Sequence, residues 1–180
     1  MNGSPVRRLD AAFFQRDCLT VAPALVGKVL VHRLPDGTEL RERIAETEAY
    51  RGTEDEACHA HKGRTPRNSM LWREGGTVYV YLCYGIHSLA NVITGAAEAP
   101  QGVLLRAGYT TPGPGRLTKA LQIDRTQNGL AITGDVLWFE DDGARPPILT
   151  APRVGIGYAG EPWLSMPWRF LAGDVSSSNK

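Results

Sequence analysis

The chain of 180 residues has little of what marks a specialised scaffold. Its three cysteines, Cys18, Cys58 and Cys83, are odd in number and contain no C-x-x-C pair, which excludes a disulfide framework and fits a reducing, intracellular compartment. No apolar run has the length that crosses a bilayer, so no membrane partner is expected. The polar, basic residues 1–8 are not followed by the apolar segment of a secretory signal. Repeats, low-complexity blocks and linkers are missing, which favours a single domain over residues 1–180, with 1–9 and 174–180 expected to be flexible. Neither H-E-x-x-H nor H-x-E with a later P-C-x-x-C is present. In Cys58-His59-Ala60-His61, a helix would put the two histidines on different faces, so no metal is expected.

Net charge is only +1, and bulk charge therefore announces no nucleic-acid partner. Its distribution says more. Residues 57–123 hold Lys62, Arg64, Arg67, Arg73, Arg106, Arg116 and Lys119 against Glu74 and Glu98. Such a local excess binds phosphates or forms a solvated face.

Periodicity and turn chemistry outline an α+β fold, mostly hairpin-connected strands with a few short helices. A short helix is expected over 9–16, then a strand over 25–34, a Pro35-Asp36-Gly37-Thr38 turn and a second strand over 39–50. Thr53-Glu54-Asp55-Glu56 reads as a capping box and Thr65-Pro66 as a second helix start. Strands are expected over 77–82, 88–94, 102–109, 129–139 and 153–158, and a helix over 114–123.

Period two places Ile44, Glu46, Glu48 and Tyr50 on one strand face, which is either wet or lines a polar pocket. Tyr79, Tyr81 and Cys83 share a face of a later strand, as border tyrosines of a core or as a platform for flat bases. Tyr84 sits at that hairpin's tip, where a ring is either a wedge for a base stack or folds back on the sheet. Residues 112–120 resemble the glycine hairpin of helix-hairpin-helix DNA binders, without the helix that precedes it there. Free N–H groups at a helix start, with Arg116 and Lys119, suit a phosphate; an ordinary surface helix is the alternative. Gly155 and Gly157 suggest close backbone approach.

In order and spacing, several motifs together resemble one family. Leu25-Val26-Gly27-Lys28-Val29-Leu30-Val31, Glu46-Thr47-Glu48-Ala49-Tyr50 and Glu54-Asp55-Glu56-Ala57-Cys58-His59 come first. Tyr79-Val80-Tyr81-Leu82-Cys83-Tyr84-Gly85 with Asn91, Val103-Leu104-Leu105-Arg106-Ala107, Gly113-Pro114-Gly115 and Arg153-Val154-Gly155-Ile156-Gly157 follow. Over roughly residues 10–172 the chain resembles the alkyladenine (3-methylpurine) DNA glycosylases. The resemblance implies one mixed domain with a curved antiparallel sheet, of the architecture shared with formyltransferase C-terminal domains, and no cofactor. It implies that Glu48 activates a water that Arg106 and the Val154 carbonyl help hold. Tyr50 would stack on a flipped base enclosed by His59 and Tyr81, and Asn91 would sit where a guanine amino group must go. Tyr84 would fill the gap in the duplex, with Arg64, Arg67, Arg116 and Lys119 as further DNA contacts.

The implied chemistry suits these groups. Breaking the bond from C1′ to a purine nitrogen builds an oxocarbenium-like sugar, which a carboxylate stabilises while it activates water. At an ordinary pKa of about 4.3 that carboxylate is ionised at neutral pH without tuning. No lysine stands beside Glu48 as a Schiff-base nucleophile, so strand incision is not expected. The implied partner is double-stranded DNA holding alkylated or deaminated purines, acted on by a monomer in a bacterial nucleoid or a eukaryotic nucleus. Two other classes remain: a base-flipping module that does not cut, and an RNA-binding module of formyltransferase-tail type. Glu48 separates them, because a binding module has no use for a carboxylate opposite an aromatic pocket.

Overall fold

A computed structural model describes residues 5–175. Asp10 opens the short helix α1 (Ala11–Phe14) by accepting from the Phe13 N–H. Asp17 does the same for α2 (Cys18–Leu25), through Leu19. The stripe Cys18, Val21, Ala22 and Leu25 is buried at helical spacing and covers one face of the sheet. Sequence reading gave residues 25–28 to a strand and missed α2, because Pro23 and the Leu-Thr-Val run argue against a helix. The strand β2 (Val29–Arg33) begins four residues later.

From β2 the chain turns through 34–38, with Thr38 N–H on the Asp36 carboxylate, into β3 (Glu39–Arg51). The remaining strands are β1 (Arg7–Arg8), β4 (Val78–Cys83), β5 (His87–Ile93), β6 (Gln101–Gly108), β7 (Leu137–Asp141), β8 (Ile148–Ala151) and β9 (Arg169–Ala172). One antiparallel sheet runs β1-β7-β2-β3-β6-β5-β4, with β9 on β3 and β8 on β9. The helix α3 (Pro114–Ala120) packs near β5 and β6. This is the expected α+β architecture. The main core lies between α2, α3 and the sheet, around Phe14, Leu25, Ile44, Leu105, Leu117 and Phe139.

The long strand β3 serves both parts of the sheet. Its first five residues pair with β2, and its second half pairs with β6 and β9. Between them the register slips: Ile44 pairs with Gly108, Glu46 with Ala107 and Thr47 with Leu105. Ala45 is thus an extra residue on β3, and Arg106 one on β6. Bulges flip the alternation. Ile44 joins Ala49 in the main core and Thr47 donates to the Ala22 carbonyl of α2, while Glu46, Glu48 and Tyr50 share the opposite face. Period two had put Ile44 with the acids; the bulge removes it.

Several other expectations give way. Residues 53–63 form consecutive turns, not a capped helix. Asp55 explains this, since its carboxylate takes the Arg51 and Ala57 N–H groups and the Arg153 guanidinium. After Thr65-Pro66 only a 3₁₀ turn forms, over Ser69–Trp72. Residues 153–158 are irregular, and the local strands are β8 and β9. A Cβ at Gly155 or Gly157 would meet nothing, so no close approach needs either glycine there, although Gly155 takes φ +73°. β7 begins at Leu137, eight residues later than expected. Residues 1–4 and 176–180 of the expected flexible ends lie outside the described part. Within it, Arg7 and Arg8 pair with β7, and the Tyr109 hydroxyl donates to Asp174.

Candidate active site

Glu48 has no exposed surface. One of its oxygens accepts the Val154 N–H at 2.8 Å, and the other accepts the Tyr50 hydroxyl at 2.8 Å. Arg106 brings its Nε to 3.5 Å from Glu48, but to 3.2 Å from Glu46, which also holds Arg169 at 3.0 Å. Burial raises the Glu48 carboxyl above the ordinary carboxylate value; the Val154 N–H, Arg106 and Tyr50 pull it back only in part. This corrects the expectation of an untuned carboxylate. A raised carboxyl is a stronger base when ionised.

Beside it lies an aromatic recess. His59 meets Tyr81 edge-on at 4.6 Å between ring centres, and Tyr79 lies 5.3 Å from Tyr81. The His59 ring nitrogen is 3.1 Å from the Tyr79 hydroxyl. Burial lowers the His59 imidazole's affinity for a proton, so the ring is neutral at pH 7. The same desolvation raises the Tyr50 and Tyr79 phenols, Tyr79 to about 12. The inner recess holds only about 50 Å³ and is floored by Asn91, whose amide donates to the Tyr79 carbonyl at 3.2 Å. It opens between Tyr50, His59, Tyr81 and Tyr158 into a cleft of about 950 Å³.

The wall behind Tyr50 is an ion pair. Arg153 and Asp55, both fully buried side chains, meet at 2.6 Å, and the guanidinium lies 4.7 Å from the Tyr50 ring centre and 5.0 Å from that of Trp168. The pair fixes the Tyr50 ring and the start of the segment that delivers the Val154 N–H. Sequence reading placed Asp55 in the first turn of an expected helix and Arg153 at the start of an expected strand, each also within a family motif, and did not pair them. It also passed over Tyr158, a 69% exposed ring at the recess mouth, pinned by its hydroxyl to the Ala57 carbonyl. Asp55, one of three consecutive acids, and Arg153 are 98 residues apart, and no local pattern joins them.

The cleft is lined on its outer side by Arg67, Tyr84, His87, Arg116 and Lys119. Tyr84 is 92% exposed with φ +52°, so the ring stands out from the β4–β5 tip instead of folding back. Gly113, at φ +93°, turns the chain into α3 and aims Arg116 and Lys119 at this cleft. Arg64 is the exception: it pairs with Glu98 and lies over Trp72, away from the cleft lining. Tyr50, His59, Tyr81 and Asn91 line the recess, Arg106 and Val154 line the cleft it opens into, and Glu48 lies behind them, bonded to the Tyr50 hydroxyl and the Val154 N–H. Of the two histidines in the metal-like stretch, His59 turns to Tyr79 and His61 to the Thr53 carbonyl. Among the described residues no group of three or more His, Cys, Asp or Glu is placed to hold a metal. Among them, too, no helix is long and apolar enough to cross a membrane.

A buried carboxylate beside an aromatic recess that opens on a basic cleft is an arrangement suited to a flat ring carried on a polyanion. Comparison with known proteins agrees. The chain matches the methylpurine-DNA glycosylase family over residues 12–111 and 108–175. It is 47% identical over 172 residues to a protein of Anaeromyxobacter dehalogenans strain 2CP-C named "Putative 3-methyladenine DNA glycosylase", covering 91% of this chain and 82% of that one. Proteins of the same name from Psychrobacter cryohalolentis and Desulfitobacterium hafniense strain Y51 are 44% and 39% identical, over 83% and 94% of this chain and 85% and 97% of theirs. The chain belongs to the methylpurine-DNA glycosylase family.

Proposed function

We propose that the chain is a monofunctional DNA glycosylase that releases 3-methyladenine, 7-methylguanine, hypoxanthine and ethenoadenine from duplex DNA, without metal or cofactor. The observation that carries this reading is the setting of Glu48: fully buried, raised by desolvation, and linked through one hydrogen bond to Tyr50 at the recess mouth. The flipped base stacks on Tyr50, with His59 and Tyr81 closing the other side. Water held by Arg106 and the Val154 carbonyl attacks C1′ while its proton passes to Glu48. The C1′–N bond breaks and its electron pair leaves with the base. Cationic alkylated purines leave as neutral molecules and stack well on electron-rich rings. The product is an abasic site in an uncut strand. Tyr84 takes the vacated place in the stack, and Arg67, Arg116 and Lys119 hold phosphates. The protein acts as a monomer on the cell's DNA, in a bacterium on the nucleoid.

The test is single-turnover incubation with hypoxanthine- and 3-methyladenine-containing duplex in excess chelator, with and without alkali. Free base and strand breaks only after alkali are expected. Breaks without alkali would overturn the monofunctional reading, and activity restored only by zinc would overturn the metal-free one.

A further inference from the structure

The strand face that carries Glu48 and Tyr50 carries a second acid, Glu46, to which the mechanism above gives no role. It is the centre of a chain of alternating charge. Arg169 Nη1 lies 3.0 Å from Glu46 Oε1, Arg106 Nε lies 3.2 Å from the same oxygen, and the next carboxylate, Glu48, is 3.5 Å from that Nε. Of the two carboxylates within ion-pair distance of Arg106, Glu46 is the nearer. The paired bulges set this up. Arg106 is the extra residue on β6, opposite the step from Glu46 to Thr47, while Arg169 pairs directly across from Glu48 on β9. Arg169 is itself anchored, its Nε donating to the Pro152 carbonyl at 2.8 Å, two residues before the N–H that holds Glu48.

We infer that Glu46 is a positioning residue for the Glu48 base: it pairs with Arg106 at the shorter distance and keeps that guanidinium from closing on Glu48 as a full ion pair. Without Glu46, Arg106 is free to give its whole fork to Glu48. A fully paired carboxylate is a weaker base and has fewer lone pairs for water. The strand thus uses one acid to withhold a cation from the other.

The inference rests on Glu48 being the base. Facing Glu48 are Glu46 and Tyr50 of β3, Arg106 of β6, Arg169 of β9, Tyr81 of β4, and Arg153 and Tyr158 of the segment after β8. The arginines stay charged, and burial drives the Tyr50, Tyr81 and Tyr158 phenols upward. The acid limb of the rate profile therefore reports Glu48. The experiment compares wild type and Glu46→Gln in single turnover on hypoxanthine duplex across the acid range. The limb is expected to move down by roughly one pH unit, the size of shift a gained cation produces. The plateau should fall about three- to tenfold, with lesion-duplex affinity within about twofold of wild type. Glu46→Asp should restore part of both. A lower plateau with an unmoved limb, or no change in either, would overturn the inference. If Glu46→Gln does not fold, Arg169→Gln serves: Glu46 then has only Arg106, and the limb should move up; a downward or absent shift overturns it. Glu48→Gln, run alongside, separates the failures, since wild-type cleavage by that variant removes the base assignment itself.

Discussion

Glu48 and Asp141 are both buried carboxylates on sheet strands, and their environments drive them in opposite directions. Asp141 receives two bonds from Arg145 at 2.8 and 2.9 Å, the Gly143 N–H at 2.9 Å and the buried Lys28 ammonium at 3.3 Å. Those donors outweigh burial and hold its carboxyl far below the carboxylate range. Glu48 has two neutral donors and one cation that lies nearer to Glu46, and there burial wins. A carboxylate with every lone pair met by charge is a structural tie. One left short of cations is held ready to take a proton. The pair predicts a crossing: removing Glu48 should end chemistry and spare the fold, and removing Asp141 should do the reverse.

Glu48→Gln is the larger arm. Cleavage should fall at least about 10²-fold in single turnover, the lower end for a general base, while lesion-duplex binding stays within about tenfold. Because the folded carboxyl is raised, its ionisation opposes folding: its stabilising contribution is present below the unfolded pKa and is lost as pH rises through the folded one. At neutral pH the glutamine variant should therefore melt at the same temperature or higher. A clear drop in Tm would mean that Glu48 is a structural group like Asp141. Activity follows the same ionisation, so the rate should rise with pH along a limb centred above the ordinary glutamate value of about 4.3.

Asp141→Asn is the second arm. It leaves Lys28 buried without its partner, a change that costs about 3–5 kcal/mol, measurable by urea unfolding. The rate per folded molecule should be unchanged. Asp141's own pKa is depressed, so its contribution is present above the unfolded value and lost as pH falls through the folded one. The acid side of the stability curve should therefore flatten in the variant. Unaltered unfolding at neutral pH would show that the tie is surface decoration.

How much of this contrast was legible depended on sequence distance. The E-T-E-A-Y strand and the Y-V-Y-x-x-Y hairpin were readable because alternation and turn residues act within a few positions, and the recess residues lie on them. The helix over Cys18–Leu25 was not, since Pro23 speaks against it locally and only burial against the sheet overrides that. The bulges at Ala45 and Arg106 were not, because no residue type there announces an extra residue. Asp55 was read as a first-turn helix acid: its carboxylate does bond backbone N–H groups, but the partner that decides the local structure is Arg153. The lysine, aspartate and arginine that tie the far edge were unreadable for the same reason, with Lys28 and Asp141 meeting across two strands that pair only after folding.

A smaller effect is expected at Tyr84, whose exposed ring makes no contact that the fold needs. Tyr84→Ala should weaken lesion-duplex binding by about 1–3 kcal/mol, the range of a lost base-stacking ring, and leave Tm unchanged. On single-stranded substrate, where no gap opens, the rate should match wild type. Equal losses on both substrates would reduce Tyr84 to a folding residue.

The smallest change concerns Asn91, and it turns on exclusion. Guanine differs from hypoxanthine only by its 2-amino group, and attractive contacts cannot reject a ring that shares every other feature. A filled space can. Asn91 floors a recess with room for little more than a water or two, and its amide is pinned to the Tyr79 carbonyl across the β4–β5 pair, so it does not swing aside at low cost. Asn91→Ser removes the amide and opens that space. The single-turnover ratio of guanine to hypoxanthine release should rise severalfold, on the order of the 10-fold that about 1.4 kcal/mol of lost repulsion allows, with abasic sites accumulating in cells that express the variant. The hydrogen bond to Tyr79 gives the competing outcome. If Asn91 serves only the hairpin, the serine variant should lose stability and all activities together, and the ratio should stay where it was.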